Sequence, residues 1–365
     1  MRTWQRWAVV AVGVALLGSI PPTLAALPAD EPTRSTTELL DLVRDSGDVA
    51  YSGYAEAVGG LQLPVTQDFT DLVDLFGERS RLRAWWNGPA DWRVDQLTAT
   101  GETGLFHRDD ATVQWNYEAG TATLATDPEV RLPRAADLLP AALGRRLLSE
   151  ATDGEVTALP ARRLVGRDAA GLRLVPADQR TTIDRVDVWV DPDTGLPIQV
   201  EFYGAGAAIP AISTRFLDLT VGAPGSLVTS FVTPPGASFE FTEVIDVAQA
   251  ANQFAPAVTP TVLAGLSRRP ELATIGSLGQ YGRGVTLLTA APVWDRLSRP
   301  LRDQLEATPG AVIDDNGVYL SAGPIGLLLT PGSRERSSWL IAGTVDAATL
   351  AAASAQLRLI PVADG

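Results

Sequence analysis

The chain has 365 residues, 45% of them hydrophobic, with 33 Gly and 26 Pro. That is enough for one large domain plus a smaller one, and it favours strands and turns over disorder. Its 29 basic and 43 acidic residues give a net charge of −14, which repels phosphate backbones and argues against a nucleic-acid partner. Cys and Lys are both absent and His107 is the sole histidine. Disulfides, thiol and Schiff-base nucleophiles and multi-histidine metal sites are therefore excluded, and a Ser–His–acid triad has to run through His107.

Residues 1–26 read as an export segment. Arg2 and Arg6 precede the continuous apolar run Trp7–Ile20, and small residues follow at Thr23–Ala26. This is the layout of a cleaved signal peptide, and Trp4–Ala26 is also long enough for a retained membrane anchor. Either reading puts the remaining chain outside the cytoplasm, secreted or held at the outer face of the cytoplasmic membrane, because the positive end stays inside.

Thr33–Ser46 predicts an amphipathic helix with Leu39, Leu40 and Val43 on one face and Ser35 or Thr36 as its cap. Extended segments follow at Ala50–Val58, Ser80–Trp86, Asp91–Thr98, Glu102–His107, Thr112–Tyr117 and Thr121–Ala125. Gly88-Pro89, Gly101, Asp109-Asp110 and Ala119-Gly120 separate them as turns. Pro133–Glu150 predicts a helix that bends or splits at Pro140 and Gly144. Strands resume at Val156–Val165, Gly171–Val175, Asp184–Val190, Pro197–Tyr203 and Ser213–Val221, with Phe239–Phe241 as a last short one.

Ala255–Thr261 reads as a linker. Beyond it, Ser277–Thr289 is extended and Val293–Ala307 helical. Ala311–Asp314, Gly317–Ser321, Gly326–Leu329 and Trp339–Gly343 are strands, and Asp346–Leu357 is a closing helix. The expected fold class is mainly β (α+β): a large antiparallel domain over 30–250 and a small α+β domain over 251–365.

Side chains two apart on a strand share a face. Leu82 and Trp86, Trp92 and Val94, and Val113, Trp115 and Tyr117 each form an apolar face of their strand, as do Val188 in one later strand and Val200 and Phe202 in its partner. A curved sheet with such an inner face has to cover it with helices or fill it with ligand. These ten residues are the candidate lining of an apolar cavity, and ordinary core packing is the competing account of each.

Reactive constellations are weaker. His107 beside Arg108, Asp109 and Asp110 invites an acid–base reading, but a surface turn at a strand end accounts for it. Asp191–Gly195 resembles a calcium loop only at its start, because Phe202 stands where the twelfth-position Glu belongs. Gly276–Gly284 lacks the Lys and following helix of a phosphate loop. No cofactor and no catalytic residue is implied.

The order "YSGYAEAV", "GPADWRVDQL", "GETGLFHRDDATVQWNYEAGTATLAT", a mid-chain helix pair and "DVWVDPDTGLPIQVEFYG" resembles the family of the lipoprotein carrier LolA and the envelope-stress sensor RseB, over about residues 33–245. Composition without Lys points to a GC-rich, actinobacterial-type member, with residues 262–365 as an extra module. The resemblance implies an unclosed β half-barrel with helices in its mouth and an apolar cavity. It implies lipid or lipopeptide binding, or alternatively an envelope-stress regulator that binds a membrane-anchored anti-sigma factor through the C-terminal domain.

Overall fold

In the computed structural model the described residues are 29–60, 79–98, 101–127, 133–241, 253, 257–270, 277–332 and 337–360. The export segment lies outside them, as does most of the start of the expected linker. No helix among the described residues is long and apolar enough to cross a membrane.

Helix α1 (Thr36–Asp45) begins in a reciprocal cap. The Glu38 carboxylate accepts the Ser35 N–H at 2.8 Å while the Ser35 hydroxyl accepts the Glu38 N–H. Its buried residues are Leu39, Leu40 and Val43, the stripe that the periodicity predicts.

The chain then builds a twelve-stranded sheet. Its first half is β1 (Tyr51–Gly59), β2 (Arg79–Gly88), β3 (Asp91–Leu97), β4 (Glu102–Arg108), β5 (Ala111–Asn116) and β6 (Thr121–Thr126). A 3-10 turn at Ala135–Leu138 and helix α2 (Pro140–Leu148) follow. The second half is β7 (Val156–Leu164), β8 (Arg167–Leu174), β9 (Ile183–Val190), β10 (Pro197–Gly204) and β11 (Ile212–Val221). After the short helix α3 (Ser226–Thr229), β12 (Ser238–Phe241) closes the set. The spatial order is β12-β6-β5-β4-β3-β2-β1-β11-β10-β9-β8-β7, so the sheet is open at both edges. All neighbours are antiparallel except β12 and β6.

The mid-chain helix splits at Pro140, which takes the first helical position, where a missing N–H costs nothing. Gly144 does not bend α2. It lets the helix lie directly on β10: a Cβ there would sit 2.7 Å from the Pro197 Cβ and 3.1 Å from Val200 Cγ2. Strand β8 begins at Arg167 rather than Gly171, because the hairpin turn runs through Val165 and Gly166, at φ 45° and 78°. Val is an unusual residue for that conformation, so no turn signal marks it.

The small hairpin β13 (Val262–Leu263) and β14 (Leu266–Ser267) leads into a second sheet. It contains β15 (Gly279–Arg283), β16 (Thr286–Val293), β17 (Val312–Asp314), β18 (Gly317–Ala322), β19 (Ile325–Leu329) and β20 (Ser338–Gly343), in the order β15-β16-β20-β19-β18-β17. Helix α4 (Asp295–Ala307) packs on β18, and α5 (Ala347–Leu357) on β19 and β20. The predicted elements of this region are all present, with Ser277–Thr289 resolved into the β15–β16 hairpin.

Backbone bonds join the two sheets. The Thr182 N–H donates to the Thr344 carbonyl at 3.0 Å and the Asp346 N–H to the Arg180 carbonyl at 2.8 Å. Side chains add to the joint: Arg283 pairs with Glu155 at 2.6 Å, and Glu150 accepts from Arg269 and from the Gly284 N–H.

Candidate binding face

The inner face of the large sheet is set by register. Tyr51 lies opposite Trp86, Trp86 opposite Trp92, Trp92 opposite His107 and His107 opposite Thr112. The four rings stack in a ladder across β1 to β4, at centroid distances of 6.2, 5.8 and 4.9 Å and interplanar angles of 12°, 11° and 14°. Phe216 meets Tyr51 edge-on at 5.5 Å. Such pairs add to simple area burial. Burial pushes the Tyr51 phenol pKa up.

The covering segment reaches the ladder with cations. The Arg134 guanidinium lies 4.9 Å from the Trp92 ring and Arg145 of α2 lies 6.0 Å from Trp86, an arrangement favoured by the ring quadrupole. The Trp86 indole N–H donates to the Gly47 carbonyl at 2.9 Å.

At its end the ladder becomes polar. Arg134 grips Asp127 with two bonds of 2.9 and 2.7 Å, and the Thr112 hydroxyl donates to Asp127 at 3.0 Å. That uses the one hydroxyl hydrogen, so His107 Nδ1, at 2.9 Å from Thr112 Oγ1, carries a proton and donates. Burial opposes the Asp127 charge, but the bonds from Arg134 and Thr112 outweigh it and hold this carboxyl below its usual range. His107 is 7% exposed. The surface-turn reading of this residue is therefore corrected: Asp109 and Asp110 alone make the turn, and Arg108 and Ala111 already pair across it.

The ten predicted lining residues fall into three groups. Leu82, Trp86, Trp92 and Val94 share one buried cluster on the inner face, beneath the 3-10 turn and the start of α2. Val188, Val200 and Phe202 line the same face further along, in a second cluster that α1 fills with Leu39, Leu40 and Val43. Val113, Trp115 and Tyr117 lie on the opposite, outer face. The pairing of His107 with Thr112 turns Trp115 to the side of Gly104, Phe106 and Asp95. There Trp115 packs on Phe231, 5.8 Å away, and Tyr117 is 41% exposed.

The outer face carries its own buried ion pair. Arg93 lies between Trp85 at 4.8 Å and Phe106 at 4.5 Å, bonds Asp95 at 2.8 and 2.6 Å, and donates to the Tyr117 hydroxyl at 2.8 Å. Burial, with the nearby Asp95 carboxylate, pushes the Glu102 pKa up.

A cavity of about 570 Å³ lies between the two sheets. Leu147, Leu174, Leu266 and Val285 give it apolar walls, and Glu155 and Arg283 stand on its rim side by side. Sequence reading missed this site, because its walls come from two separate segments, 147–180 and 265–286, and no local pattern joins them.

Asp191 is explained as a turn residue. Its Oδ1 accepts the Asp193 N–H at 2.9 Å while Oδ2 pairs with Arg167 at 2.6 Å. Among the described residues no three His, Asp or Glu side chains converge as a metal site.

The sequence matches no family model and no curated protein. Solved structures do match. MucB in complex with MucA(peri) aligns at a TM-score of 0.50 and 16% identity, over 90% of this chain and all of that one. The MucA/MucB complex of Pseudomonas aeruginosa gives the same score and identity, over 90% of this chain and 99% of that one. The chain has a LolA/RseB-like fold. A LolA superfamily protein from Nitrosomonas europaea also matches, at a TM-score of 0.25 and 12% identity, over 55% of this chain and 99% of its own.

Residues from Ala257 onward make up more than a quarter of the chain, so a match over 90% of it extends into the second sheet.

Proposed function

We propose that this chain is an extracytoplasmic, non-catalytic binding protein, with a half-barrel over 30–250 and a small domain over 251–365. In this reading it works as an envelope regulator that engages the outer segment of a membrane-anchored anti-sigma factor, using the small domain. The observation that carries the proposal is the match to the full length of MucB, a protein solved with its partner MucA. The lack of Cys and Lys and the engagement of His107 in the ladder support a role without chemistry.

A second reading has its own support. The inner face carries two large apolar clusters, and Leu147, Leu174, Leu266 and Val285 wall the cavity between the sheets beside Glu155, Asp178, Arg180 and Arg283, a mix of apolar surface and a few charged groups that suits a lipid or lipopeptide. On this reading Leu82, Trp86, Trp92, Val94, Val188, Val200 and Phe202 contact the ligand once α1 and α2 move, while Val113, Trp115 and Tyr117, on the outer face, lie away from it.

One experiment separates the two. The full chain and a version lacking 257–365 are titrated with the extracytoplasmic segment of the anti-sigma factor encoded nearest its gene, and the purified chain is analysed for bound lipid by mass spectrometry. Binding lost with the small domain supports the regulator. Co-purified lipid without peptide binding supports the carrier. Absence of both results defeats the proposal.

A further inference from the structure

The small domain reaches into the large one at the tip of the β15–β16 hairpin. Arg283 pairs with Thr286, so Gly284 and Val285 alone make the turn. Gly282 and Gly284 have φ of 95° and 58°. A Cβ at Gly282 would sit 2.1 Å from the Thr286 carbonyl oxygen, so the strand can bend there only with glycine. The bend sends Val285, 7% exposed, into the inner-face cluster that contains Val188, Val200 and Phe202. Helix α1 fills the same cluster, and α2 lies on it through Leu143, Leu147 and Leu148. An aliphatic side chain of the small domain is thus part of the packing that holds both covering helices.

Polar contacts fix the tip to the chain just past α2. The Gly284 N–H donates to Glu150 Oε2 at 2.8 Å, Arg269 donates to Glu150 Oε1, and Arg283 donates to the Glu150 carbonyl. Arg283 also donates to Glu155 at 2.6 Å. Two carboxylates face two guanidinium groups, so the charges balance and the hold comes from directed bonds. Glu150 follows closely on Leu148, the last residue of α2. Lifting that end of the helix off β10 therefore pulls Glu150 away from the tip.

We propose that the β15–β16 tip is a latch on α2. It holds the C-terminal end of the helix down, and the inner face around Val188, Val200 and Phe202 opens to an apolar ligand only when the small domain lets go of Glu150. The chain has no Cys, so no disulfide fixes the joint and its release is reversible. Such coupling is reciprocal. Whatever displaces the tip uncovers the inner face, and an apolar ligand that lifts α2 loosens the small domain. The latch is built from contacts within the chain and stands whichever of the two readings above holds.

A Cβ at Gly284 would lie 3.9 Å from the Glu150 Cβ, inside the window of about 3.5–4.5 Å that a disulfide needs. In Glu150→Cys/Gly284→Cys the introduced cysteines are the only ones in the chain. The left-handed backbone at position 284 strains the oxidised and reduced forms alike, so the two are compared with each other. The reduced form lacks the Glu150 carboxylate. Its α2 amides are expected to exchange hydrogen about tenfold faster than those of the oxidised form. Nile red is expected to bind the reduced form about tenfold more tightly, because apparent affinity follows the open fraction. Val285→Ala keeps the backbone of the tip and speeds α2 exchange over wild type by about tenfold, the worth of two buried methyl groups. Arg180→Ala removes a contact across the joint, to the Ala264 carbonyl at 3.2 Å, that does not touch α2. Its α2 exchange stays within about twofold of wild type. Equal exchange or equal dye affinity in the two redox states overturns the proposal, as does a cysteine pair that fails to oxidise. So does unchanged exchange in Val285→Ala, and so does an Arg180→Ala variant whose α2 opens as readily as the reduced form.

Discussion

The Trp92 indole and the His107 imidazole face each other across β3 and β4, 4.9 Å apart and within 14° of parallel. That one contact ties the only histidine of the chain to the aromatic ladder on one side and to the Thr112–Asp127–Arg134 group on the other. Removing the ring between them tests how much of the half-barrel depends on the ladder. Trp92→Ala deletes a side chain that is 4% exposed and takes away the stacking partner of Trp86 and His107. A loss of about 3–5 kcal/mol in urea unfolding is expected. Tyr117→Ala, on the outer face, costs less than about 1 kcal/mol. Equal losses would contradict the placement of the two residues on opposite faces.

Acid should loosen the joint between the sheets. Burial opposes the charge of Glu155, but the Arg283 guanidinium and the Thr152 and Ala177 N–H groups bring its pKa from 4.5 down to about 2. A depressed carboxylate stabilises the fold fully above its ordinary value, and the contribution disappears as pH falls through the lowered one. The urea midpoint should therefore drop between pH 4.5 and about 2. In Glu155→Gln it starts lower at pH 7 and changes less over that interval. Arg283→Ala leaves a buried carboxylate short of one partner, at a cost of about 1–3 kcal/mol at pH 7. Parallel pH profiles for wild type and Glu155→Gln would show that this pair does not form in solution.

Two glycines with the same backbone angle separate conformational strain from packing. Gly195 has φ 72° and Gly206 has φ 70°, so alanine at either position pays the left-handed penalty of about 1 kcal/mol. A Cβ at Gly206 meets nothing within 4 Å, whereas at Gly195 it would lie 2.3 Å from the Leu42 carbonyl of α1. Gly195→Ala is expected to cost at least about 1–2 kcal/mol more than Gly206→Ala in thermal or urea unfolding. The same cost at both sites would mean that α1 does not rest on the Asp191–Gly195 turn.

Much of this architecture is legible in sequence because it is local. Period-two alternation marks several of the strands from β2 to β10, a cap at Ser35 or Thr36 ahead of the Leu39, Leu40 and Val43 stripe marks the start of α1, and Pro140 marks the break before α2. The misreadings also have local causes. The β7–β8 turn places Val165 in a conformation that sequence rules reserve for Gly or Asn. His107 stands next to turn residues and yet points inward, because the two-residue turn at Asp109-Asp110 leaves it within the ladder.

Alternation along each strand establishes by itself that the chain makes half-apolar strands, and the missing Cys, Lys and second His narrow its chemistry before any folding is considered. Which apolar faces coincide is a separate matter, settled between strands. A shift of one residue in pairing turns every side chain over. Because His107 pairs with Thr112, Trp115 looks outward while Trp92 looks inward, although both strands carry equally clear patterns. The cavity between the sheets arises in the same way, from segments distant in sequence whose proximity is fixed only by strand order and packing.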